Sequence, residues 1–151
     1  MLPENTFRHI GHMIGLIERV SRSSADEYLK ELGLSRGQIP YLMVLYHNEG
    51  ISQDFLAKGL VMDKSSTARA LQKLETAGFI RREQNPQDKR ENLVYLTEAG
   101  REIHPIVKQL NGQWIEHLSG DLNEVEIVAL EAILSKMSTK ARDFRNKTGE
   151  L

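Results

Sequence analysis

Two short stretches with helical patterning, joined by a brief break, constrain the fold of this chain more than any other feature. Ile51–Lys58 has the pattern of a short helix with Ser52 as its N-cap. Gly59–Met62 interrupts the pattern, and Asp63 then has the position of an N-cap for a longer helix over Lys64–Ala77. Two helices joined by a turn of about four residues form a helix-turn-helix.

The longer helix has two different faces. The residues expected to form its packed stripe are Thr67, Ala70, Leu71 and Leu74. The residues on the opposite face are small, polar or basic, namely Ser65, Ala68, Arg69, Gln72 and Lys73. In the shorter helix we expect Phe55 and Leu56 to face inward. Taken alone, an amphipathic helix with a solvated charged face explains this pattern equally well.

A change of period after the longer helix predicts a β-hairpin. Gly78 is expected to end the helix, and Phe79–Glu83 and Leu93–Leu96 are short β-prone runs. The connection Gln84–Asn92 is too long for a tight two-residue turn, so it should project as a loop. Because an isolated hairpin is marginal in water, this one must lean on the preceding helices.

Helical periodicity also precedes the helix-turn-helix. Phe7–Leu32 is predicted to be one helix, which Gly33 ends as a left-handed cap. Ser35 and Gln38 form a capping-box pattern that opens a second helix, and Pro40 should bend its start.

Two further helices are predicted after the hairpin. Thr97 should cap the first, which is kinked at Pro105 and stopped by Ser119–Gly120. Asp121 with Glu124 should open the second, whose tail is expected to fray beyond Arg145. The fold class is therefore mainly α (α+β), a winged helix-turn-helix flanked by helices.

Charge is distributed unevenly along the chain. The formal net charge is −1, but between residues 58 and 90 eight basic residues face four acidic ones, giving +4 (8 − 4) and leaving −5 (−1 − 4) elsewhere. A basic middle between acidic ends suits a local polyanion-binding face. The chain has no cysteine, so disulfides, thiolate metal sites and cysteine redox switches are excluded.

These features together predict a double-stranded DNA partner. Arg69 is long enough to form two bonds to guanine, and Lys64 and Lys73 would add sequence-neutral attraction to phosphates. Arginine at a projecting hairpin tip suits a narrow minor groove.

The full set of candidate contacts is Lys64, Ser65, Ser66, Thr67, Arg69, Gln72 and Lys73 on the recognition helix, Ser52 and Gln53 before it, and Asp88, Lys89 and Arg90 in the wing. For Asp88 we expect two roles, holding Arg90 or turn amides and forming an ordinary Asx turn.

The string Asp88–Thr97 matches a D-x-R-x5-L-T wing signature in full. With Asp63–Arg69, Leu74–Glu75 and Gly78–Ile80, it resembles the MarR (multiple-antibiotic-resistance regulator) family of bacterial and archaeal transcription regulators. The likeness extends over nearly the whole chain, although the outer helices match only in order and length.

The resemblance implies a homodimer whose outer helices interlock, with Arg90 entering the minor groove and with Ser65, Ser66, Thr67 and Arg69 facing bases or phosphates. The implied division is an N-terminal dimerisation helix at 1–34, a winged helix-turn-helix at 35–97 and C-terminal dimerisation helices at 98–151. The apolar stripes around residues 10–17 and 127–137 independently favour a dimer. Two-fold symmetry predicts a pseudo-palindromic operator with half-sites about 10 base pairs apart.

Family members commonly lose DNA affinity when a small anionic aromatic compound binds between the DNA-binding and dimer regions. We therefore expect a transcriptional regulator, most simply a repressor, released by a small-molecule effector wedged near Pro105. A winged-helix module used only for protein contacts is one alternative. A zinc-responsive regulator using His9, His12, His104 and His117 with Glu18 and Glu102 is another, although these residues lack tight ligand spacing.

Other classes of protein are disfavoured by what the sequence lacks. We expect no enzyme, because neither a phosphate-binding glycine loop nor a nucleophile elbow is present. No cofactor or metal is expected. The longest apolar run, Ile39–Tyr46, is too short to span a membrane, and the N-terminus lacks a secretory pattern, so we expect a cytoplasmic protein.

Overall fold

A computed structural model describes residues 3–23 and 27–148 of the chain. The helices in these residues are, in chain order, Glu4–Ser23 (α1), Glu27–Glu31 (α2), Ile39–Leu45 (α3), Gln53–Gly59 (α4), Lys64–Thr76 (α5), Glu98–Glu102 (α6), His104–Ser119 (α7) and Glu124–Thr148 (α8), with a 3₁₀ turn at Arg36–Gln38. The strands are Ile51–Ser52 (β1), Ile80–Gln84 (β2) and Asn92–Leu96 (β3). The predicted mainly helical winged helix-turn-helix is confirmed.

Three predicted N-caps begin the helices around the wing. The Ser52 hydroxyl accepts a 3.1 Å hydrogen bond from the Phe55 amide at the start of α4. The Asp63 carboxylate accepts one of 2.7 Å from the Ser66 amide at the start of α5. Thr97 caps α6 and also donates to the Gly78 carbonyl at 2.6 Å, which ties the end of the wing to the end of α5. Each cap satisfies an amide that the first helical turn leaves unpaired.

The N-terminal helices differ in part from the prediction. In place of one helix over Phe7–Leu32, α1 ends at Ser23 and α2 begins at Glu27, while residues 24–26 lie outside the described residues. The left-handed Gly33 (φ 71°) ends α2 as predicted. The Gln38 side chain accepts from the Ser35 amide at 2.8 Å, but this pair opens the 3₁₀ turn. Pro40 then lies in the first turn of α3, where proline needs no amide partner, and not inside a helix opened by Ser35 as predicted.

The sheet has three antiparallel strands in the order β1-β3-β2. Register is fixed by the pairs Ile80↔Leu96 and Gln84↔Asn92 in the hairpin and by Ile51↔Val94 beside it. The hairpin strands lie within one residue of their predicted positions. Strand β1 differs from the prediction, because the sequence pattern places Ile51 in the following helix.

The core packs the apolar stripe of α5 against the other helices and the hairpin. Thr67, Ala70, Leu71 and Leu74 are all buried, as predicted. The side chains that surround the stripe include Leu29, Leu42, Leu45, Leu56, Ile80, Val94, Leu96 and Val107. Phe55 is 59 % exposed, so its predicted inward orientation is wrong, since Leu56 alone of the pair faces the core.

Close packing where the hairpin meets α6 requires glycine. A Cβ added at Gly100 would lie 2.0 Å from the Phe79 carbonyl oxygen, a separation that no real side chain tolerates. The Gly100 carbonyl also accepts a 3.1 Å hydrogen bond from the Tyr46 hydroxyl. The end of α3, the start of the wing and α6 therefore meet at this glycine.

The C-terminal helices break where proline was expected to act. Pro105 lies in the first turn of α7, directly after the break that separates α7 from α6. The last helix is capped by Asn123, whose side chain accepts from the Val125 amide at 3.0 Å, so the predicted opening at Asp121 is wrong. Helix α8 continues to Thr148, so fraying from residue 146 is also wrong, while Gly149 lies outside the described residues.

Helix α8 contributes almost nothing to the core of its own chain. Of its side chains at positions 124–147, only Arg145 is partly buried, and its guanidinium donates to the Val61 carbonyl in the turn between α4 and α5. None of the helices in residues 3–23 and 27–148 is long and apolar enough to cross a bilayer.

Candidate nucleic-acid interface

The outer face of α5 carries most of the predicted contacts. Ser65, Arg69, Gln72 and Lys73 are exposed, and Ser66 is partly buried. Because the apolar stripe on the other side is in the core, the 3.6-residue period places these polar side chains outward. Arg69 is held near the start of the helix by a 3.3 Å hydrogen bond from its guanidinium to the Ser66 hydroxyl.

Thr67 does not lie on this surface. It is fully buried, and its hydroxyl lies 3.3 Å from the Tyr41 hydroxyl in the core. The expectation that Thr67 faces DNA is therefore corrected, because a buried hydroxyl with a core partner is out of reach of bases and phosphates.

The residues at the start of the two helices have mixed roles. The Ser52 hydroxyl is occupied by its cap, and Gln53 beside it is partly buried. Lys64 is exposed and pairs with Asp54 of α4 at 2.8 Å. This exposed pair links the two helices at the edge that would approach DNA, where it contributes little to stability.

The wing tip presents a fixed arginine. Asp88 accepts bonds from the Arg90 amide at 3.0 Å, from its Nε at 3.0 Å and from its Nη2 at 2.9 Å. Both expected roles of Asp88, the Asx turn and the hold on Arg90, are therefore confirmed. The Arg90 hydrogen bonds lower the pKa of the Asp88 carboxyl, and the same contact raises the pKa of Arg90. The Arg90 side chain is still 90 % exposed, and Lys89 beside it is exposed too.

Between α5 and β2 lies a polar cluster that the sequence did not reveal. The Arg82 guanidinium bonds Gln72 at 2.6 Å and Glu75 at 3.1 Å. The Gln72 amide also donates to the Thr76 hydroxyl at 3.4 Å. Gln72 is therefore bonded within the protein at both ends of its amide. Arg82 lies seven residues from Glu75 and ten from Gln72 along the chain. Because these pairs join a strand to a helix, the periodicity of neither element predicts them.

A large apolar cavity lies between α1, α5, α7 and α8. Its volume is about 1140 Å³, and its lining is mostly aliphatic with four cationic side chains, Arg22, Arg36, Arg69 and Lys73. The Arg36 guanidinium lies 5.4 Å from the ring centroid of Trp114, which also lines the cavity. On α7 the lining begins at Trp114, so the cavity does not reach Pro105, where the effector was expected.

The histidines offer no grouped metal ligands. No three histidine, aspartate or glutamate side chains come together as a metal site in the described part of the chain. His104 instead stacks on Tyr46 with 3.9 Å between the ring centroids, and burial raises the pKa of Tyr46 to about 12. His117 stacks on Trp114 with 6.5 Å between the centroids.

Comparison with known proteins gives a consistent result. The MarR family profile matches residues 34–92. An uncharacterised helix-turn-helix transcriptional regulator, YybA of Bacillus subtilis, is 32 % identical over 124 residues, which are 82 % of this chain and 83 % of that protein. The crystal structure of a MarR transcriptional regulator from Methanosarcina mazei superimposes with a TM-score of 0.85 at 31 % identity, covering 91 % of this chain and 99 % of that one. A mutant MarR of Escherichia coli in complex with operator DNA gives a TM-score of 0.75 at 30 % identity, with 91 % and 99 % coverage.

The fold and the exposed face of α5 define a winged helix-turn-helix regulator. The chain belongs to the MarR family of transcriptional regulators. Neither the protein-interaction module nor the zinc-responsive regulator gains support from these comparisons.

Titration of Asp63 tests the cap that begins α5. Hydrogen bonding from Ser66 lowers the pKa of the Asp63 carboxyl below its ordinary value of 3.8. The ionised cap therefore stabilises the fold above that pH, and this stabilisation is lost as the pH falls through the lowered folded-state pKa. We expect Asp63→Ala to lower the thermal unfolding midpoint at pH 7, and to lower it by less in strong acid, where only a neutral carboxyl is left to accept the Ser66 hydrogen bond.

The matched control is Asp63→Asn, whose amide oxygen still accepts the Ser66 hydrogen bond without a titrating charge. It should retain much of the stability at pH 7. If Asp63→Ala lowers the midpoint by the same amount at pH 7 and at about pH 2.5, the cap does not act through its ionised form.

Proposed function

We propose that this protein is a homodimeric repressor that binds a pseudo-palindromic operator and releases it when a small anionic aromatic ligand binds. The observation that carries the proposal is the exposed, basic face of α5 in the same module as the exposed Arg90 of the wing. The relative solved with operator DNA supports the choice of partner.

Major-groove binding is assigned to α5. Arg69 is the proposed base-reading residue, because its guanidinium is exposed and has the reach for guanine O6 and N7. Ser65 and Ser66 are small enough for close approach to the DNA backbone, and Lys64 and Lys73 supply phosphate contacts. Ser52 and Gln53 lie at the start of α4, where the first helix of the motif crosses the backbone.

Minor-groove binding is assigned to the wing. Arg90 projects from the loop between β2 and β3, and Asp88 limits the directions that its guanidinium explores. A pre-oriented arginine loses less conformational entropy on entering a narrow groove than a free one does. Lys89 adds attraction to the flanking phosphates.

The dimer follows from apolar surface that a single chain leaves exposed. Of the eighteen large apolar side chains exposed among the described residues, six lie on α1, two on α7 and eight on α8. The eight on α8 are Val125, Ile127, Val128, Leu130, Ile133, Leu134, Met137 and Phe144. A second copy is the proposed occupant, because these helices flank the DNA-binding module and two-fold pairing would present two α5 helices to successive grooves. This arrangement corresponds to dimerisation regions at 1–34 and 98–151 around a DNA-binding domain at 35–97.

The effector is assigned to the cavity between α5 and these helices. Its aliphatic walls suit an aromatic ring. The one acidic residue in its lining, Glu18, is paired with Arg22, and the other cations there, Arg36, Arg69 and Lys73, suit a carboxylate. Arg69 and Lys73 belong to both the cavity and the proposed DNA surface. A ligand that draws them inward therefore competes with DNA for the same charges.

Arginine substitutions test the DNA assignment. A duplex selected by the wild-type protein from a random library should bind Arg69→Ala more weakly by about 1–3 kcal/mol, with relaxed specificity at one base pair. Arg90→Ala should weaken binding mainly for sites with A·T-rich flanks. Lys30→Ala, an exposed change on α2, is the control and should bind like wild type. Equal binding of random and selected DNA by the wild type would refute sequence-specific recognition.

Sedimentation tests the dimer. We expect twice the 17.2 kDa chain mass for the wild type, because one chain leaves the apolar face of α8 in water. Ile133→Glu should give a monomer with weaker DNA binding, since a buried unpaired carboxylate is costly. Lys108→Glu adds the same side chain at an exposed position on α7 and should remain dimeric. A monomeric wild type at micromolar concentration would contradict the dimer.

Fluorescence of the single tryptophan, Trp114, tests the ligand site, because this residue lines the cavity. Titration with benzoate should change its emission in a saturable way and should weaken binding to the selected duplex. Benzamide, which has the same ring without the charge, should bind less tightly, and Arg36→Gln should reduce the difference between the two compounds. Equal affinity for benzoate and benzamide would contradict an anion site.

A further inference from the structure

We infer that Arg82 is a positioning residue that fixes the direction of the wing relative to α5, so that Arg69 and Arg90 engage their two grooves as one rigid unit. The inference rests on the proposed DNA-binding function and adds to it a joint between the two reading elements. Arg82 was counted among the basic residues of the central segment, but no specific role was expected of it.

The joint is formed by three side chains between β2 and the second half of α5. Arg82 donates from Nε to Glu75 at 3.1 Å and from Nη2 to Gln72 at 2.6 Å, and Nη2 also pairs with Glu75. The Arg82 and Glu75 side chains are only 21 % and 32 % exposed. Hydrogen bonds that are charge-assisted and partly shielded from water are stronger and more directional than those of an open surface pair.

The position of Arg82 along β2 explains why the joint is needed. Residues two apart on a strand point to the same face, so Ile80 and Arg82 both face α5. Ile80 is buried and anchors the base of the hairpin in the core. The buried side chains Val94 and Leu96 of β3 anchor the hairpin as well, opposite Arg82 and Ile80. Beyond these positions β2 is an edge strand that pairs only with β3 in the described sheet, so the bonds of Arg82 are its last hold on α5 before the loop.

The length of the wing amplifies any tilt. Pro86 in the loop is six residues beyond Ile80, or about 20 Å at about 3.3 Å per residue. A tilt of about 10° at the base would move the tip by about 3.5 Å, several times the spread of hydrogen-bond lengths. The bonds from Arg82 to α5 add to the apolar anchors, limit this tilt and keep Arg90 in register with the contacts of Arg69.

The joint also reassigns Gln72. Its amide oxygen accepts from Arg82 and its amide nitrogen donates to Thr76, so its side chain serves the wing and not the bases. The Arg82 hydrogen bond lowers the pKa of the Glu75 carboxyl, so this group is ionised at neutral pH. Because Glu75 neutralises it, Arg82 is not expected to contribute to the release of counterions from DNA.

Because Glu75 neutralises Arg82, the salt dependence of DNA binding can distinguish a positioning role of Arg82 from direct contact with phosphate. A lysine or arginine that touches phosphate contributes about one unit to the slope of log affinity against log salt concentration. We therefore expect Arg82→Ala to lower affinity for the selected duplex about tenfold with an unchanged salt slope. Hydroxyl-radical footprints should lose protection under the wing while keeping it under α5.

Four further variants sharpen the test. Glu75→Gln should lower the affinity in the same direction, and the double variant should be no worse than Arg82→Ala alone, since both changes break one joint. Arg82→Lys should restore part of the affinity by keeping the pair with Glu75. Arg81→Ala is the matched control on the neighbouring residue, which pairs with Glu83 and lies over the Tyr95 ring instead of α5, and it should leave the footprint unchanged.

A measurement without DNA distinguishes failure of the joint from failure of DNA binding. The chain lacks cysteine, so spin labels at Gln87→Cys and Lys58→Cys report only the distance from the wing to α4. In labelled protein diluted with excess unlabelled chain, this distance distribution should broaden in Arg82→Ala and stay narrow in Arg81→Ala. An unchanged distribution, or a salt slope reduced by about one, would overturn the inference.

Discussion

Burial of one face of α5 is the constraint on which the rest of the DNA-binding module depends. Leu71 and Leu74 are fully buried, and the buried Thr67 hydroxyl lies beside that of Tyr41. Because the helical period is fixed, burying this stripe turns Ser65 and Arg69 outward without any further interaction. The orientation of the proposed reading surface is thus a consequence of core packing.

Pairing with carboxylates divides the basic residues of the central segment into different roles. Lys64, Arg81, Arg82 and Arg90 each have an acidic partner. The partner of Arg82 lies across the junction between the wing and α5, whereas the partner of Arg90 lies two residues away in the same loop. In the inferred joint, the Arg82–Glu75 pair sets the orientation of the wing relative to α5. The Arg90–Asp88 pair sets the direction of the Arg90 side chain. Net charge describes neither property.

Helix α8 poses the opposite problem from α5, because its apolar face has no core within one chain. Helix α8 exposes eight large apolar side chains, and the cavity beside it opens between α1, α5, α7 and α8. In the proposed dimer the same surface serves pairing and ligand binding. Under the proposed function, a ligand in this cavity would act on the distance between the two α5 helices and on the charges of Arg69 and Lys73.

The sequence by itself determined the starts of α4, α5 and α6, the stripe of α5 and the paired strands of the wing. The caps at Ser52, Asp63 and Thr97 are predictable because each bond spans three residues. Tertiary structure alone decided the strand at Ile51, the exposure of Phe55, the loss of Thr67 from the proposed DNA surface and the bonds between Arg82 and α5. Each of these depends on residues that are distant in the chain or on competition for a place in the core, and periodicity within one helix or strand carries no information about either.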